Sequence, residues 1–199
     1  MTKLLMNKDS ELTSFSPTSP TVKKVASALI WLGNLGFWLQ LLLGIVSLMM
    51  LLFSTPLLGS SSESSGNENL ALFCATVGVL TLALSIFFFF RRYISIGQSL
   101  KNARSGGDRP NKKYTIRLIR LGLTSNLVGM LISIIGAEAF AGLLFQKASL
   151  LPAGSTTIYQ PSQLINSVEI MALLANVHTI FSHFAGITFG LILLERINR

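Results

Sequence analysis

Charge is what this sequence has least of. Only 12% of its 199 residues are Asp, Glu, Lys or Arg, about half the share of an ordinary soluble domain. Acids are the scarcer sign, eight against sixteen bases. A single cysteine, Cys74, excludes an internal disulfide and a thiolate metal framework. The only histidines, His178 and His183, are five residues apart, about 140° around a helix, so they do not form an i,i+4 metal pair. There is no nucleotide-binding loop, no nucleophile–base pair and no metal-hydrolase spacing. An enzyme is therefore not expected, and no cofactor is implied.

Apolar sequence is what the chain has instead, half of all residues. It is gathered into four runs, at about 26–53, 70–90, 121–145 and 165–194. About 20 such residues cross the hydrocarbon core as a helix, because a helix satisfies its own backbone where there is no water. The expected fold is all-α: a four-helix transmembrane bundle in residues 25–199. The first and last runs exceed the core thickness and should tilt or project. Residues 1–24 have no apolar stretch followed by a cleavage site. They carry Asp9 and Glu11, which transit peptides avoid, and are expected to be a disordered cytoplasmic tail.

The net charge of +8 is distributed by topology. Four bases precede the first span, nine lie in 91–120, and Arg196 and Arg199 close the chain, while Lys147 is alone on the opposite side. The positive-inside rule then makes both termini cytoplasmic. The basic segments read as contacts with anionic lipid headgroups. No aromatic-interleaved module points to nucleic acid. Glu63, Glu68, Glu138 and Glu169 leave the other side acidic, a field that attracts cations.

Spans pack through small residues and a few polar groups, since lipid tails give apolar helices no reason to associate. Gly122, Asn126, Gly129, Ser133 and Gly136 recur at alternating steps of four and three. Gly36, Gln40, Gly44 and Ser47 do so in the first span, and Ala71, Ala75, Gly78, Leu82 and Ser85 in the second. These seams have the 3.5-residue period of left-handed bundles. In the fourth span Glu169, Asn176, His183 and Gly190 are seven apart and share a face, with His178 on the opposite side. His178 is expected to bond a neighbouring helix, Trp31 to sit at the inner interface, and the deeper Trp38 to pack on a neighbour.

Glu138 is the strongest functional candidate, because a carboxylate within a span is costly and usually faces protein or a cavity. Counting from the span ends puts Glu138 and Glu169 at similar depth, so they can form an acidic outer mouth. Asn176 and His183 would continue a polar line inward, with Asn126 and Gln40 facing it. Which metal, if any, these groups hold is unknown at this point.

Three segments carry a resemblance: GFWLQLLLGIVSLMMLLF (36–53), RLGLTSNLVGMLISIIGAEAFAGLLFQKA (120–148) and ANVHTIFSHFAG (175–186). They resemble the cyanobacterial and plastid four-span membrane family of unknown function. That family includes the chloroplast inner-envelope Tic component also called permease in chloroplasts. The resemblance implies four spans and either iron transport or a part in protein import, and it assigns no site residue. Without a long transit extension, a cyanobacterial plasma or thylakoid membrane is expected. The first reading is a homo-oligomeric carrier for a cation, iron being the candidate, through a polar path in the helical bundle or between subunits. The alternative is a non-enzymatic subunit or scaffold of a translocation or membrane-assembly complex.

Overall fold

The computed structural model describes residues 20–58, 66–103, 110–150, 165 and 167–198. Every regular element among them is helical. Helix α1 covers Pro20–Leu58 and α2 covers Gly66–Leu84. One π-helical turn, Ser85–Phe90, joins α2 to α3, Arg91–Asn102. Helix α4 is Lys112–Leu150 and α5 is Ser167–Asn198.

Four of these units are long and apolar enough to cross a membrane: α1, the continuous α2–π–α3 rod, α4 and α5. The protein is an integral membrane protein. The four expected runs are the cores of longer helices. α1 begins at Pro20, where the missing amide hydrogen costs nothing because first-turn N–H groups have no intrahelical acceptor. Helix therefore covers 20–24, the last residues of the expected tail, and 1–19 lie outside the described residues. Asn111 caps α4, its Oδ1 accepting from the Lys113 amide at 2.8 Å.

α5 lies between α1 and α4 and packs along both. The second span is divided: α2 packs on α4, and α3 packs on α1. The change of partner falls at the π turn, where one extra residue rotates all that follows by about 100°. Ser85 is the last member of the buried face that begins with Ala71, Ala75, Gly78 and Leu82. From the end of the turn onward, Phe89, Phe90, Tyr93 and Ile96 enter a cluster with Leu29, Leu32, Leu118, Ile119, Leu193 and Ile197. The described bases other than Lys147 gather at this end of the bundle, which is called the basic end below.

At the far end the core is smaller. Ala71, Phe140 and Ala172 form one cluster, and Leu51, Ala75 and Ala175 another. Between the apolar ends lies a layer of buried polar side chains: Gln40, Ser47, Ser85, Asn126, Ser133, Asn176, Thr179, Ser182 and His183.

Candidate functional site: a buried amide and imidazole layer

The small-residue seams are sockets for larger side chains from neighbouring helices. A Cβ on Gly129 would strike the His183 ring and the Thr81 hydroxyl, and one on Gly186 would strike the Gln40 and Asn126 amides. Gly122 receives the Tyr93 hydroxyl, Gly36 the Phe90 ring, and Gly78 the Ser133 hydroxyl. Gly44 is half-buried against Leu82 and Ile86. Glycine recurs at these positions because a neighbour's side chain fills the volume a Cβ would take. Gly36, Gly122, Gly129, Ser133 and Gly136 are all buried, as their spacing predicts.

Asn126 is the centre of the layer. Its Nδ2 donates to Ser85 Oγ at 2.6 Å and to the Gly122 carbonyl at 2.9 Å. Its Oδ1 accepts from Gln40 Nε2 at 2.9 Å and faces His183 Nδ1 at 3.1 Å. Both donors and both acceptor positions are used. The amide cannot be turned over without pointing its oxygen at the Gly122 carbonyl. Gln40 is fixed in the same way, since Nε2 also donates to the Ser182 carbonyl at 2.8 Å. With Asn126 Oδ1 so placed, Nδ1 of His183 is the donor. Nε2, without a hydrogen in that tautomer, lies 3.2 Å from the Gly78 carbonyl and 3.4 Å from Thr81 Oγ1, whose own hydrogen goes to the same carbonyl at 2.8 Å.

Four elements therefore converge: α1 through Gln40, the α2–π junction through Gly78, Thr81 and Ser85, α4 through Asn126, and α5 through Ser182 and His183. A second knot lies toward the far end. Ser47 Oγ bonds the Ala175 carbonyl at 2.7 Å and the Thr179 hydroxyl at 2.5 Å, and Thr179 also returns to Ala175 at 2.9 Å.

Two oxygens do not fit this account. Gln40 Oε1 and Asn176 Oδ1 are buried with no hydrogen-bond partner among the described residues. Buried polar atoms are almost always paired, by protein, water or an ion. Asn176 Nδ2 bonds only its own helix, at the Ala172 carbonyl, 3.2 Å away. Its Oδ1 borders the space over Gly136: a Cβ there would lie 2.9 Å from Oδ1, 3.0 Å from Cys74 Cβ and 3.3 Å from the Ala71 carbonyl. Asn176 Oδ1 and the Ala71 carbonyl oxygen are thus both packed against Gly136.

Of the six residues expected along a polar path, four are in this layer: Gln40, Asn126, Asn176 and His183. The two carboxylates are not. Glu138 is exposed on the outer surface of α4. Its direction follows from its position two residues after buried Gly136, about 200° around the helix from the seam. Glu169 pairs with Lys147 at the far lip. Lys147 is nine residues beyond Glu138 on α4, roughly 14 Å at helical rise. The two acids are therefore at different depths and form no common mouth. The count from span ends failed because α4 runs on to Leu150. Glu63 lies outside the described residues.

Other expectations divide similarly. His178 Nδ1 meets its own Leu174 carbonyl at 2.8 Å rather than a neighbouring helix. Trp38 is largely exposed and stacks edge-on with adjacent Phe37, not with another helix. Cys74 is buried, as packing requires. The spacing already put Ser85 on the seam of the second span, but Thr81 and Tyr93 were passed over: Thr81 reaches the layer only through the tertiary fold, and Tyr93 only after the π turn. Among the described residues no three of His, Cys, Asp and Glu come together.

Four spans, each with one buried seam of small and polar residues, account for the pattern of the described residues, and a family comparison covers nearly the whole sequence. The DUF3611 family, a protein family of unknown function, matches residues 19–198. The chain belongs to that family. It is also 28% identical to Protein TIC 21, chloroplastic, of Arabidopsis thaliana, over 83% of this chain. The match covers 55% of the Arabidopsis protein, so the chain spans about half the length of that relative. No solved structure matches.

Proposed function

We propose that this protein is a non-enzymatic carrier that moves a cation across its membrane by way of the buried amide and imidazole layer. The observation behind this reading is the pair of unpartnered carbonyl oxygens, Gln40 Oε1 and Asn176 Oδ1. Both are acceptors, and an enclosed acceptor without a donor favours a cation or a water that can donate. Carrier sites tend to lie near the bilayer midplane, beside interrupted helices. Here the layer lies between apolar clusters at each end, and the interrupted helix is the second span at its π turn. π turns are frequent at functional sites. The arrangement suits an occluded state, with passage requiring the helices to part at one end and then the other.

Iron enters as the cargo through the family resemblance alone. Amide oxygens and one imidazole can accept ferrous iron that keeps part of its water shell. A cyanobacterial plasma or thylakoid membrane, with both termini on the cytoplasmic side, completes the proposal. Purified protein in sealed vesicles should admit ferrous iron faster than protein-free vesicles. An equal rate, for iron and for sodium, potassium and manganese alike, would overturn the carrier reading.

The alternative is a subunit of a protein-translocation or membrane-assembly complex, the setting that the relative's name suggests. Asn126 favours it: an amide with all four hydrogen bonds made serves as a structural pin. This reading predicts stable co-purifying membrane proteins and no flux.

A further inference from the structure

The basic end holds a groove that the buried layer does not use. It lies between α1 and α5, with Lys23 and Lys24 on one helix and Arg196 on the other. All three are exposed, and among the described residues none of them is in an ion pair. Glu195, the acid next to Arg196 in sequence, is not among the lining side chains. Three unpaired cations about one groove repel one another, and an anion seated among them removes that repulsion. An adjoining recess at the first turn of α1 joins Lys24 to Arg196 again and adds the Thr21 hydroxyl.

Below the charges the groove changes character. Leu32 is its buried floor, and exposed Trp31 and half-buried Ile192 belong to its walls. The order is the same on both helices, although α1 starts at the basic end and α5 finishes there. Trp31 is nine residues from Gln40 on α1, and Ile192 is nine residues from His183 on α5, roughly 14 Å at helical rise in each case. Lys24 is seven residues further out than Trp31, and Arg196 four further than Ile192, roughly 10 and 6 Å. Half of a hydrocarbon core is about 15 Å. With the polar layer at mid-membrane, the apolar wall ends where the acyl region ends. The cations then stand at the level of the headgroups, with a tryptophan at the boundary. Two other basic recesses, one around Arg91 and Arg92 and one around Lys112, Lys113 and Arg117, are each built by a single helical rod and have no second wall.

We propose that the α1–α5 groove holds one anionic phospholipid, its phosphate among Lys23, Lys24 and Arg196 and an acyl chain against Trp31, Leu32 and Ile192. Charge selects the headgroup, since a zwitterionic lipid would bring its own cation into a patch that is already positive. The apolar wall selects a lipid over a soluble phosphate, which has nothing to place there. Basic pockets between spans bind such headgroups in other membrane proteins. This is one lipid at a defined place, beyond the general attraction of basic segments to an anionic leaflet, and it does not depend on what the protein carries.

Trp31 gives the readout. In a Trp38→Phe variant it is the one tryptophan left, and Trp38 is largely exposed, so the change is tolerated. In phosphatidylcholine vesicles, a minor fraction of phosphatidylglycerol brominated on its acyl chains should quench Trp31 more than the same fraction of brominated phosphatidylcholine. Lys23→Gln, Lys24→Gln and Arg196→Gln together should weaken that relative affinity about tenfold or more. Lys112→Gln, Lys113→Gln and Arg117→Gln together should leave it within about twofold, because distant exposed charges are screened. Equal quenching by the two lipids overturns the proposal. Equal loss in both triple variants does so too, since the groove would then be no more than general surface charge. A preference removed by inorganic phosphate, but not by sodium chloride of equal ionic strength, would assign the cations to a soluble anion and overturn it. A preference seen only after residues 1–19 are deleted would give the groove to those residues and overturn it as well.

Discussion

Asn126 on α4 and His183 on α5 meet at 3.1 Å, and the same Asn126 oxygen accepts from Gln40 on α1. One amide thus ties three spans together, and its nitrogen reaches the fourth at Ser85. Asn126→Ala strands the His183 and Gln40 donors and the Ser85 hydroxyl together. Hydrogen bonds between membrane helices average under 1 kcal/mol, but an orphaned buried group costs about 1–3 kcal/mol. A loss of about 2 kcal/mol or more is expected in a reversible unfolding titration in mixed micelles. A loss under about 0.5 kcal/mol would mean that the layer is not the pin described.

The glycines separate by what stands opposite them. Gly129→Ala drives a methyl into the His183 ring, and Gly186→Ala drives one into the Gln40 and Asn126 amides. Both should lower the midpoint of thermal unfolding. Gly142→Ala meets nothing among the described residues and should leave the midpoint unchanged or raise it, since Ala favours a helix over Gly by about 0.5–1 kcal/mol. Thermal scans of the three variants in one detergent are sufficient to see this order.

Ser47→Ala should be mild. Thr179 keeps its bond to the Ala175 carbonyl when Ser47 is removed, and no buried donor is orphaned. A cost of about 1 kcal/mol or less is expected in the same titration. A cost matching Asn126→Ala would contradict this ranking.

Glu169→Gln removes an ion pair at the far lip that is still partly open to water. Exposed pairs contribute about 0–1 kcal/mol and are screened by salt. The stability change should be small and should shrink further at high ionic strength. Iron uptake should be retained, because Lys147 already neutralises this acid.

Much of this was legible before any coordinates. The alternating steps of three and four predicted the buried faces of α1, α2 and α4, and the seven-residue spacing placed Asn176 and His183 together on the inner face of α5. Glu138 was misread for an instructive reason. The chemical expectation that a membrane carboxylate faces inward overrode the angle, although two residues past Gly136 is nearly opposite the seam. The pairing of Glu169 with Lys147 was not legible, because no sequence spacing relates side chains on two different helices. The π turn was equally hidden: FFFF has no spacing signal that distinguishes i→i+5 from i→i+4 hydrogen bonding, yet that turn directs Phe89 and Phe90 into the core.

Asn176→Leu tests the central claim most directly. Leucine keeps the branched shape of asparagine but is larger, and the only described bond lost is to the residue's own helix. Removing an unpartnered buried oxygen offsets part of the cost of the added volume, so any loss of stability should stay within about 1–3 kcal/mol. If that oxygen handles the cation, the variant will fold normally in vesicles and lose most ferrous iron uptake. A stable Asn176→Leu protein that takes up iron at the unsubstituted rate would contradict the account.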